Sequence, residues 1–456
     1  MIESQSIAQY IPDELRRLAS YFPQDAPLYV VGGLVRQALL GAVADDPDID
    51  LASALPPERL QACLADTPFG IKPASPRLGT VIVVGERRYE YTAFRIDSYP
   101  TDSGAHAPLQ VRFTDDLTLD ARRRDFRCNA IYYDIRRDEI VDPTGGVADI
   151  EARVLDCADD PDRVLSEDGL RLMRLARFQS RLGFRIAPRT YDAACRLCDR
   201  LDDISPERIA AELEYLLDGD FVADALRTMR DTGMLARVLP ELSAGDGLAQ
   251  NPQYHRYDVL EHSIRACAYA PRSARLAALL HDVGKPPCMA RDGNCYRHAE
   301  EGARLTCEIL TRYRYPKREI QRVTRLVAAH MLAIKRDIRE SKLRVFCAQN
   351  RDILQDLAAL MRADARATGY ATDESDFAAR MLKTYADMVA DGVPLDPRQL
   401  AIDGDALATI GARGKQIGET LDALWRMCVM QNLPNEREPL TQAARRAIER
   451  LQKENE

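Results

Sequence analysis

The period of the apolar residues changes once along this chain, near Asp149, and no other feature limits the fold so strongly. Before that point, short β-branched runs alternate with short helical stretches. After it, apolar residues recur at helical spacing almost without interruption. In the first part, "LYVVGG" predicts a strand running into a glycine turn, "VRQALLG" the start of a helix, "IDLAS" a strand and "PPERLQACLAD" a helix. "TVIVVGERRYEYTAFR" predicts a hairpin with Gly85 near its turn, and "AIYYDIRRDEIVDP" a second hairpin. In the second part, "EDGLRLMRLARFQSRLGF", "RTYDAACRLCDRL", "PERIAAELEYLL" and "DALRTMRDTGMLARVL" all predict helices. The 456 residues exceed what one ordinary core supports, so roughly two to four domains are expected. The expected class is multidomain α+β, with a head of small mixed sheet and helices over residues 1–148 and an all-α body behind it. That body divides into a helical neck (149–245), a further helical domain (246–370) and a helical C-terminal tail (371–456). "SAGDGLAQNPQ" (243–253) and "ADGVPLDPRQLAIDGD" mark the joints by composition.

Composition narrows the class of function. No apolar run approaches the ~20 residues that span a bilayer. The polar, acidic N-terminus lacks a basic start followed by an apolar stretch. The expectation is a cytoplasmic protein with no membrane partner. Eleven cysteines are scattered without a disulfide framework, and the CxxC pair Cys195 and Cys198 has no second pair at zinc-finger spacing. It reads as two half-buried thiols on one helix. A net charge of −8 argues against indiscriminate coating of nucleic acid. A local polyanion site would fall where arginines cluster, in "DARRRDFRC" and "RLMRLARFQSRLGFR".

The stretch "VVGGLVRQALLGAVADDPDIDLAS" (30–53) concentrates the chemistry. Asp48 and Asp50 stand one residue apart on a strand pattern, which puts both carboxylates on one face. Two close carboxylates repel unless a cation lies between them, and Mg²⁺ favours a few carboxylates together with phosphate oxygens. Gly32 and Gly33 let backbone approach a phosphate, and Arg36 adds a fork of donors. The Gly-Lys-Ser/Thr ending of a Walker loop is missing. A glycine turn with two solvated aspartates is the bland alternative. Glu90, in mid-strand in "RYEYTAFR" with Arg95 on the opposite face, offers a third acid. "LDARRRDFRCNAIYYD" gathers Asp120, Arg123, Arg124, Asp125 and Asn129, for which a solvated charge run is the alternative.

In order along the chain, "GGLVR…DIDLAS", "YEYTAFR", "ARRRDFRCNAIYYD", "DPTGGVADIEARVL", "SEDGLRLMRLARF" and "PERIAAEL" resemble the motifs of bacterial class II tRNA nucleotidyltransferases. These are the CCA-adding enzymes and their poly(A) polymerase relatives. The resemblance is close over about residues 25–220 and looser beyond. It implies that Asp48 and Asp50 bind metal, with Glu90 as the third acid. It implies that Gly32, Gly33 and Arg36 contact the triphosphate, and that Arg123, Arg124 and Asp125 hold ribose and phosphates, with Asn129 beside them. One departure is visible, because Gln37 stands where the family commonly has aspartate.

"SEDGLR" supplies Glu167, Asp168 and Arg171. On a helix Asp168 and Arg171 share a face and present an acceptor beside a donor fork, with Arg174 a further step along. Cytosine and adenine both offer an amine to such a carboxylate, where uracil and guanine offer a carbonyl; a bidentate contact of this kind discriminates by ~1–3 kcal/mol. The resemblance implies the same, an amino-acid template selecting CTP and ATP. A helix cap on Ser166 is the alternative, compatible with that role. Switching from C to A requires the pocket to change shape. "DSYPTDSGAHAPLQVRF" (97–113) reads as the movable loop for it, and its position matches that of full CCA-adding members.

Five of the six histidines lie between 255 and 330. The adjacent His281-Asp282 followed by Gly-Lys resembles the HD phosphohydrolase superfamily, so residues 246–370 are expected to form an HD domain. The resemblance implies that His262, His281 and Asp282 form a metal core, that His298 and His330 serve a second metal, and that Asp364 closes the set. A divalent metal of unspecified identity is expected there, and Mg²⁺ in the head. Gly411 to Lys415 in the tail could touch RNA backbone, or cap a helix. The expected partners are a tRNA 3′ end, CTP and ATP, with the oligomeric state open. Poly(A) synthesis, partial CC or A addition, and an HD phosphohydrolase with a nucleotide-sensing head are the alternatives.

Overall fold

A computed structural model of the chain describes residues 5–99, 110–334, 338–370 and 376–454. The heart of the loop expected to reshape the base pocket, residues 100–109, lies outside the described residues. Contacts divide the chain into two compact units, Met1–Ser243 and Ala244–Glu456.

The first unit opens on an α/β layer. Its strands are β1 (Tyr29–Val31), β2 (Asp50–Ser53), β3 (Gly70–Ser75), β4 (Thr80–Val84), β5 (Arg88–Ala93), β6 (Arg95–Ser98), β7 (Gln110–Phe113), β8 (Tyr132–Asp134) and β9 (Glu139–Val141). Seven of them form one mixed sheet in the order β3-β4-β5-β2-β1-β8-β9, while β6 and β7 pair separately. Both hairpins expected from sequence are present, β4–β5 around Gly85 and β8–β9. β2 pairs antiparallel with β1 and parallel with β5. A parallel pair needs a long crossover, and here the helix Pro57–Leu64 and the β3–β4 hairpin supply it.

Val31, Ala52, Phe94, Ala121, Ala130, Tyr132 and Ala158 form a buried cluster against this sheet. Buried tyrosines find partners as they must, Tyr91 through the Leu55 carbonyl (2.6 Å) and Tyr89 through the buried Glu14 (2.7 Å). The helix Leu170–Leu182 then carries the chain into the neck, where the helices Pro206–Leu217 and Val222–Asp231 pack on it. An edge-on contact of Phe126 with Phe178 (5.7 Å) ties neck to sheet layer. "DALRTMRDTGMLARVL", expected as one helix, is two: Val222–Asp231 and Met234–Val238, separated at Gly233.

The second unit is built of helices joined by turns and loops, with no strand among its described residues. Val259–Tyr269, Arg275–Leu280, Lys285–Asp292, His298–Arg312, Lys317–Ala329 and Leu354–Ala367 surround the histidines. Among the described residues, no helix is long and apolar enough to cross a membrane. Cys195 is exposed, Cys198 half-buried, and all eleven cysteines are free thiols.

Candidate active site and candidate metal centre

Strand register assembles the acidic group. Asp50 opens β2 directly beside Glu90 of β5, and opposite Val31 of β1. Residues in register on adjacent strands share a face, so a carboxylate far downstream is brought next to the Asp48–Asp50 pair. All three are solvent-exposed. Asp48 precedes the strand by two residues and adds negative charge at Asp50. Crowding by protein, then Glu90 and Asp48, push the Asp50 carboxyl above its ordinary pKa, while Arg124 and Arg36 oppose them. A divalent cation among hard oxygen donors relieves that repulsion, so the donor set fits Mg²⁺.

Gly32 turns the chain from β1 into the helix Gly33–Leu39. Its φ of 81° and ψ of −124° lie in a region that only glycine occupies readily. A Cβ there would stand 3.5 Å from Asp50 Oδ2, whereas a Cβ on Gly33 would meet nothing within 4 Å. Open space therefore faces the Gly33 backbone beside the carboxylates.

Behind them lies a buried polar network. Asp120 accepts from Arg123 Nε (2.8 Å), Arg124 Nη2 (3.2 Å), the Tyr132 hydroxyl (2.6 Å) and the Arg95 amide (3.2 Å). Burial alone would raise its pKa, but Arg123, Arg124 and Tyr132 outweigh it and hold the carboxyl below the usual range. Asp97 on β6 adds ion pairs to Arg95 (2.9 Å) and Arg123 (3.5 Å). Asp125 accepts from the Phe126 amide (2.7 Å), Asn129 Nδ2 (3.1 Å) and Arg174, through Nε at 2.8 Å and through Nη2. It too is held low, because Arg174 and Asn129 outweigh burial.

Arg36 is buried in this structure rather than pointing as a fork into the open space. It donates to Asn129 Oδ1 and lies over the Phe178 ring at 5.0 Å. Burial holds its pKa below the usual value. The acidic motif also differs from the single helical face expected. The helix Pro161–Glu167 ends at Asp168, and Leu170–Leu182 starts afresh. Neither Ser166 nor Asp168 is the N-cap of the new helix, which is Gly169; Asp168 ends the preceding helix and accepts from the Leu170 amide at 3.1 Å, while Ser166 bonds back to the Arg163 carbonyl. Gly169 stands between the two helices, where any side chain would run into the Arg200 carbonyl. Arg171 is anchored by the Val164 (2.8 Å) and Arg123 (2.7 Å) carbonyls, which binds the base-selecting candidates to the arginine motif.

In the second unit the histidines converge. His262, His281 and Asp282 form one buried group and Asp282, His298 and His330 another, the ligand atoms of each lying within 4.8 Å of one another. Asp282 bridges them. Its Oδ2 lies 3.3 Å from His281 Nε2 and 3.6 Å from His262 Nε2, and its Oδ1 lies 3.4 Å from His298 Nε2. Asp364 Oδ1 closes the first group, 2.9 Å from His262 Nε2.

Helix ends fix the imidazoles. His281 and His330 each follow a helix, and donate Nδ1–H to the carbonyl three residues back, Ala278 (2.7 Å) and Val327 (2.6 Å). His298 does the same with Cys295 (2.7 Å). When such a ring is neutral, its Nε2 is a bare lone pair. Burial lowers the His330 pKa to about 4 and lowers that of His298. Their Nε2 atoms nonetheless face each other at 3.3 Å, and Asp282 Oδ1 accepts no hydrogen bond among the described residues. Facing lone pairs beside an orphaned carboxylate oxygen call for a cation, and imidazole with carboxylate is the donor set of a transition metal. His281, by contrast, is raised to about 10, because Asp282 and Asp364 outweigh its burial.

Further residues join the centre, among them two visible in the sequence without a ligand role, His255 of the histidine cluster and the lysine of the Gly-Lys after His281-Asp282. Lys285, one helical turn after Asp282, pairs with its Oδ2 at 2.6 Å and donates to Gln250 at 2.6 Å. His255 packs edge-on against His262 at 4.8 Å. Three-residue spacing was the available signal for Lys285. Asp97, Tyr132 and Phe178 carried none, since tertiary packing alone directs them.

Residues 28–156 match the poly A polymerase head domain, residues 183–245 the probable RNA- and SrmB-binding site of polymerase A, and residues 253–369 the HD domain. The A-adding tRNA nucleotidyltransferase of Deinococcus radiodurans is 34% identical over 429 residues, 88% of this chain and 91% of that one. The CC-adding tRNA nucleotidyltransferase of Thermus thermophilus is 32% identical over 423 residues, 89% of each chain. The crystal structure of Bacillus stearothermophilus CCA-adding enzyme in complex with CTP superposes with a TM-score of 0.68 at 26% identity, over 97% of this chain and 98% of that one. With its head domain, RNA-binding segment and HD domain in that order, the chain belongs to the tRNA nucleotidyltransferase family and is an enzyme of that class.

Proposed function

We propose that this enzyme adds CCA to the 3′ end of tRNA in the cytoplasm, drawing on CTP and ATP without a nucleic-acid template. The observation that carries this reading is Asp50 in register with Glu90, two residues from Asp48 and against Gly32. Asp48, Asp50 and Glu90 would hold Mg²⁺, which when bound lowers the pKa of the attacking 3′-hydroxyl and balances charge on the leaving pyrophosphate. Gly32 and Gly33 leave room for the triphosphate beside these acids. Arg123, Arg124 and Asp125, locked through Asp120 and Arg174, orient ribose and phosphates. Asp168 and Arg171 choose the base by its amine edge. The relatives span A-adding, CC-adding and CCA-adding enzymes, so the product is what the experiment must decide.

We further propose that the HD centre hydrolyses a phosphoester, such as a terminal or cyclic phosphate on a damaged RNA end. His262, His281, Asp282 and Asp364 would hold one divalent metal and Asp282, His298 and His330 a second. Bound there, the metals polarise a phosphoryl group and lower the pKa of water. Three anchored rings keep their Nε2 atoms aimed at that place, which supports the reading.

The test is extension of tRNA transcripts ending at the discriminator base, at C and at CC, with CTP and ATP singly and together. Expected is a discrete CCA end on all three, lost in Asp48→Ala/Asp50→Ala. Long A tails would assign poly(A) synthesis. A single A on the CC transcript alone, or arrest at CC, would assign half of a split pathway. No extension would overturn the head's role and leave the HD centre as the main enzyme.

A further inference from the structure

Tyr215 stands on the helix Pro206–Leu217 with 51% of its surface exposed, which is unusual for a ring so well supported. The guanidinium carbons of Arg177 and Arg181 lie 5.5 and 6.0 Å from its centroid. Both arginines come from one helix at i, i+4 spacing, so they reach the ring from the same neighbouring helix, and half of the residue's surface stays open to solvent. Each is fixed in turn, Arg177 by Glu212 (3.1 Å) and the Phe178 ring (4.5 Å), and Arg181 by Asp218 (3.2 Å). Because their charges are already paired, this surface is poorly suited to gripping phosphate. It offers a rigid, cation-backed aromatic face, the kind of surface on which nucleic-acid bases stack irrespective of sequence.

Its location fits that use. Phe178 is touched by Arg36 (5.0 Å), Arg174 (5.5 Å) and Arg177, so one packed wall runs from the glycine turn to Tyr215. Arg171 lies on the same helix. At ~1.5 Å per residue, about 9–15 Å separate it from Arg177 and Arg181. A stacked strand rises ~3.4 Å per nucleotide, so that interval corresponds to roughly three to four steps. Tyr215 also falls within the segment that matches an RNA-binding family.

We propose that Tyr215, backed by Arg177 and Arg181, is the stacking platform for an unpaired base of the RNA 3′ strand, about three steps behind the base selected by Asp168 and Arg171. The inference rests on the tRNA-end reading above. On a tRNA ending in CC, three steps back from the incoming nucleotide is the discriminator base, the last unpaired one. On a tRNA ending at the discriminator base, no unpaired base reaches that far.

Dissociation constants measured by fluorescence anisotropy test it, using both tRNAs with nucleotide present and divalent metal absent, on wild type, Tyr215→Ala and Tyr215→Phe. Tyr215→Ala is expected to weaken the CC-ended tRNA roughly five- to thirtyfold and the shorter tRNA less than about twofold. Tyr215→Phe, which keeps the π face, should bind like wild type. Unchanged melting and an unchanged dissociation constant for ATP would exclude a folding defect. Equal weakening of both tRNAs, or no effect of Tyr215→Ala, overturns the platform. Wild type that binds neither tRNA would instead overturn the tRNA reading itself.

Discussion

Alanine at Gly32 places one methyl group where backbone geometry and chemistry meet. The residue sits at φ 81° and ψ −124°, so an L side chain there is strained whatever the space around it. Such conformations cost about 1–3 kcal/mol. The methyl itself would lie 3.5 Å from Asp50 Oδ2, an ordinary contact, so the strain arises from the backbone and not from a clash. For a unit of this size, about 1 kcal/mol moves the melting temperature by roughly 2–4 °C, giving an expected fall of about 2–12 °C. Any relaxation of the turn moves it against the carboxylate, and a displacement near 1 Å at a reacting centre costs about a hundredfold in rate. Single-turnover incorporation of CTP and a thermal melt followed by circular dichroism measure the two effects. Gly33→Ala is the control. It has an ordinary φ and open space in front, so it should keep the melting temperature and lose activity only through crowding of the triphosphate. Gly32→Ala with wild-type melting and wild-type incorporation would refute the argument, because neither strain nor proximity to Asp50 would then matter.

Two further outcomes follow from the buried charges. Asp282→Ala removes the carboxylate shared by both histidine groups, so metal content by mass spectrometry should fall to background while nucleotide incorporation by the head persists; retained metal would mean that Asp282 is no bridge. Asp120 and Asp125 are held below the ordinary carboxylate range in the folded protein, so the unfolded chain binds more protons as pH falls through about 3.9. Their stabilisation is therefore complete above that value and is lost as acid approaches their folded pKa. Asp125→Asn should destabilise the first unit at pH 7 by about 2–4 kcal/mol and flatten the acid limb of its urea midpoints. The only tryptophan, Trp425, lies in the second unit, so circular dichroism rather than tryptophan fluorescence reports the shift in the first.

Local signals were readable and long-range side-chain directions were not. "LYVVGG", "IDLAS" and the two hairpins follow from alternation and turn chemistry, which act over a few residues, and the strands stand where those patterns put them. The seven-strand order has no local signal, because the parallel β2–β5 pairing joins segments on either side of another hairpin. Asp48, Asp50 and Glu90 come together, as do the histidines with Asp282 and Asp364. Arg36 and the Asp168–Arg171 pair show the limit. Spacing alone set a cation toward the phosphates and two residues on one helix face. Burial against Phe178 and the helix break at Gly169 decided otherwise, and neither is written in the segment itself.

On the proposed reading, the two centres would hold their cations in opposite ways, and the difference would follow from their tasks. In the head, Asp48 before β2, Asp50 at its start and Glu90 within β5 are exposed carboxylates, hard and accessible oxygen donors. On the proposed reading, a cation held so loosely would arrive with a triphosphate and leave with pyrophosphate, as successive additions require. In the HD unit, His262, His281, Asp282, His298 and His330 are all buried, and three of the rings are tied to backbone carbonyls. Those bonds aim the rings at one place, and when His298 and His330 are neutral their Nε2 lone pairs face each other at 3.3 Å. A site built that way favours a resident metal of the imidazole-binding kind. Exposure at one centre and burial at the other would thus separate, on the proposed reading, a cation that comes with the substrate from one that belongs to the protein.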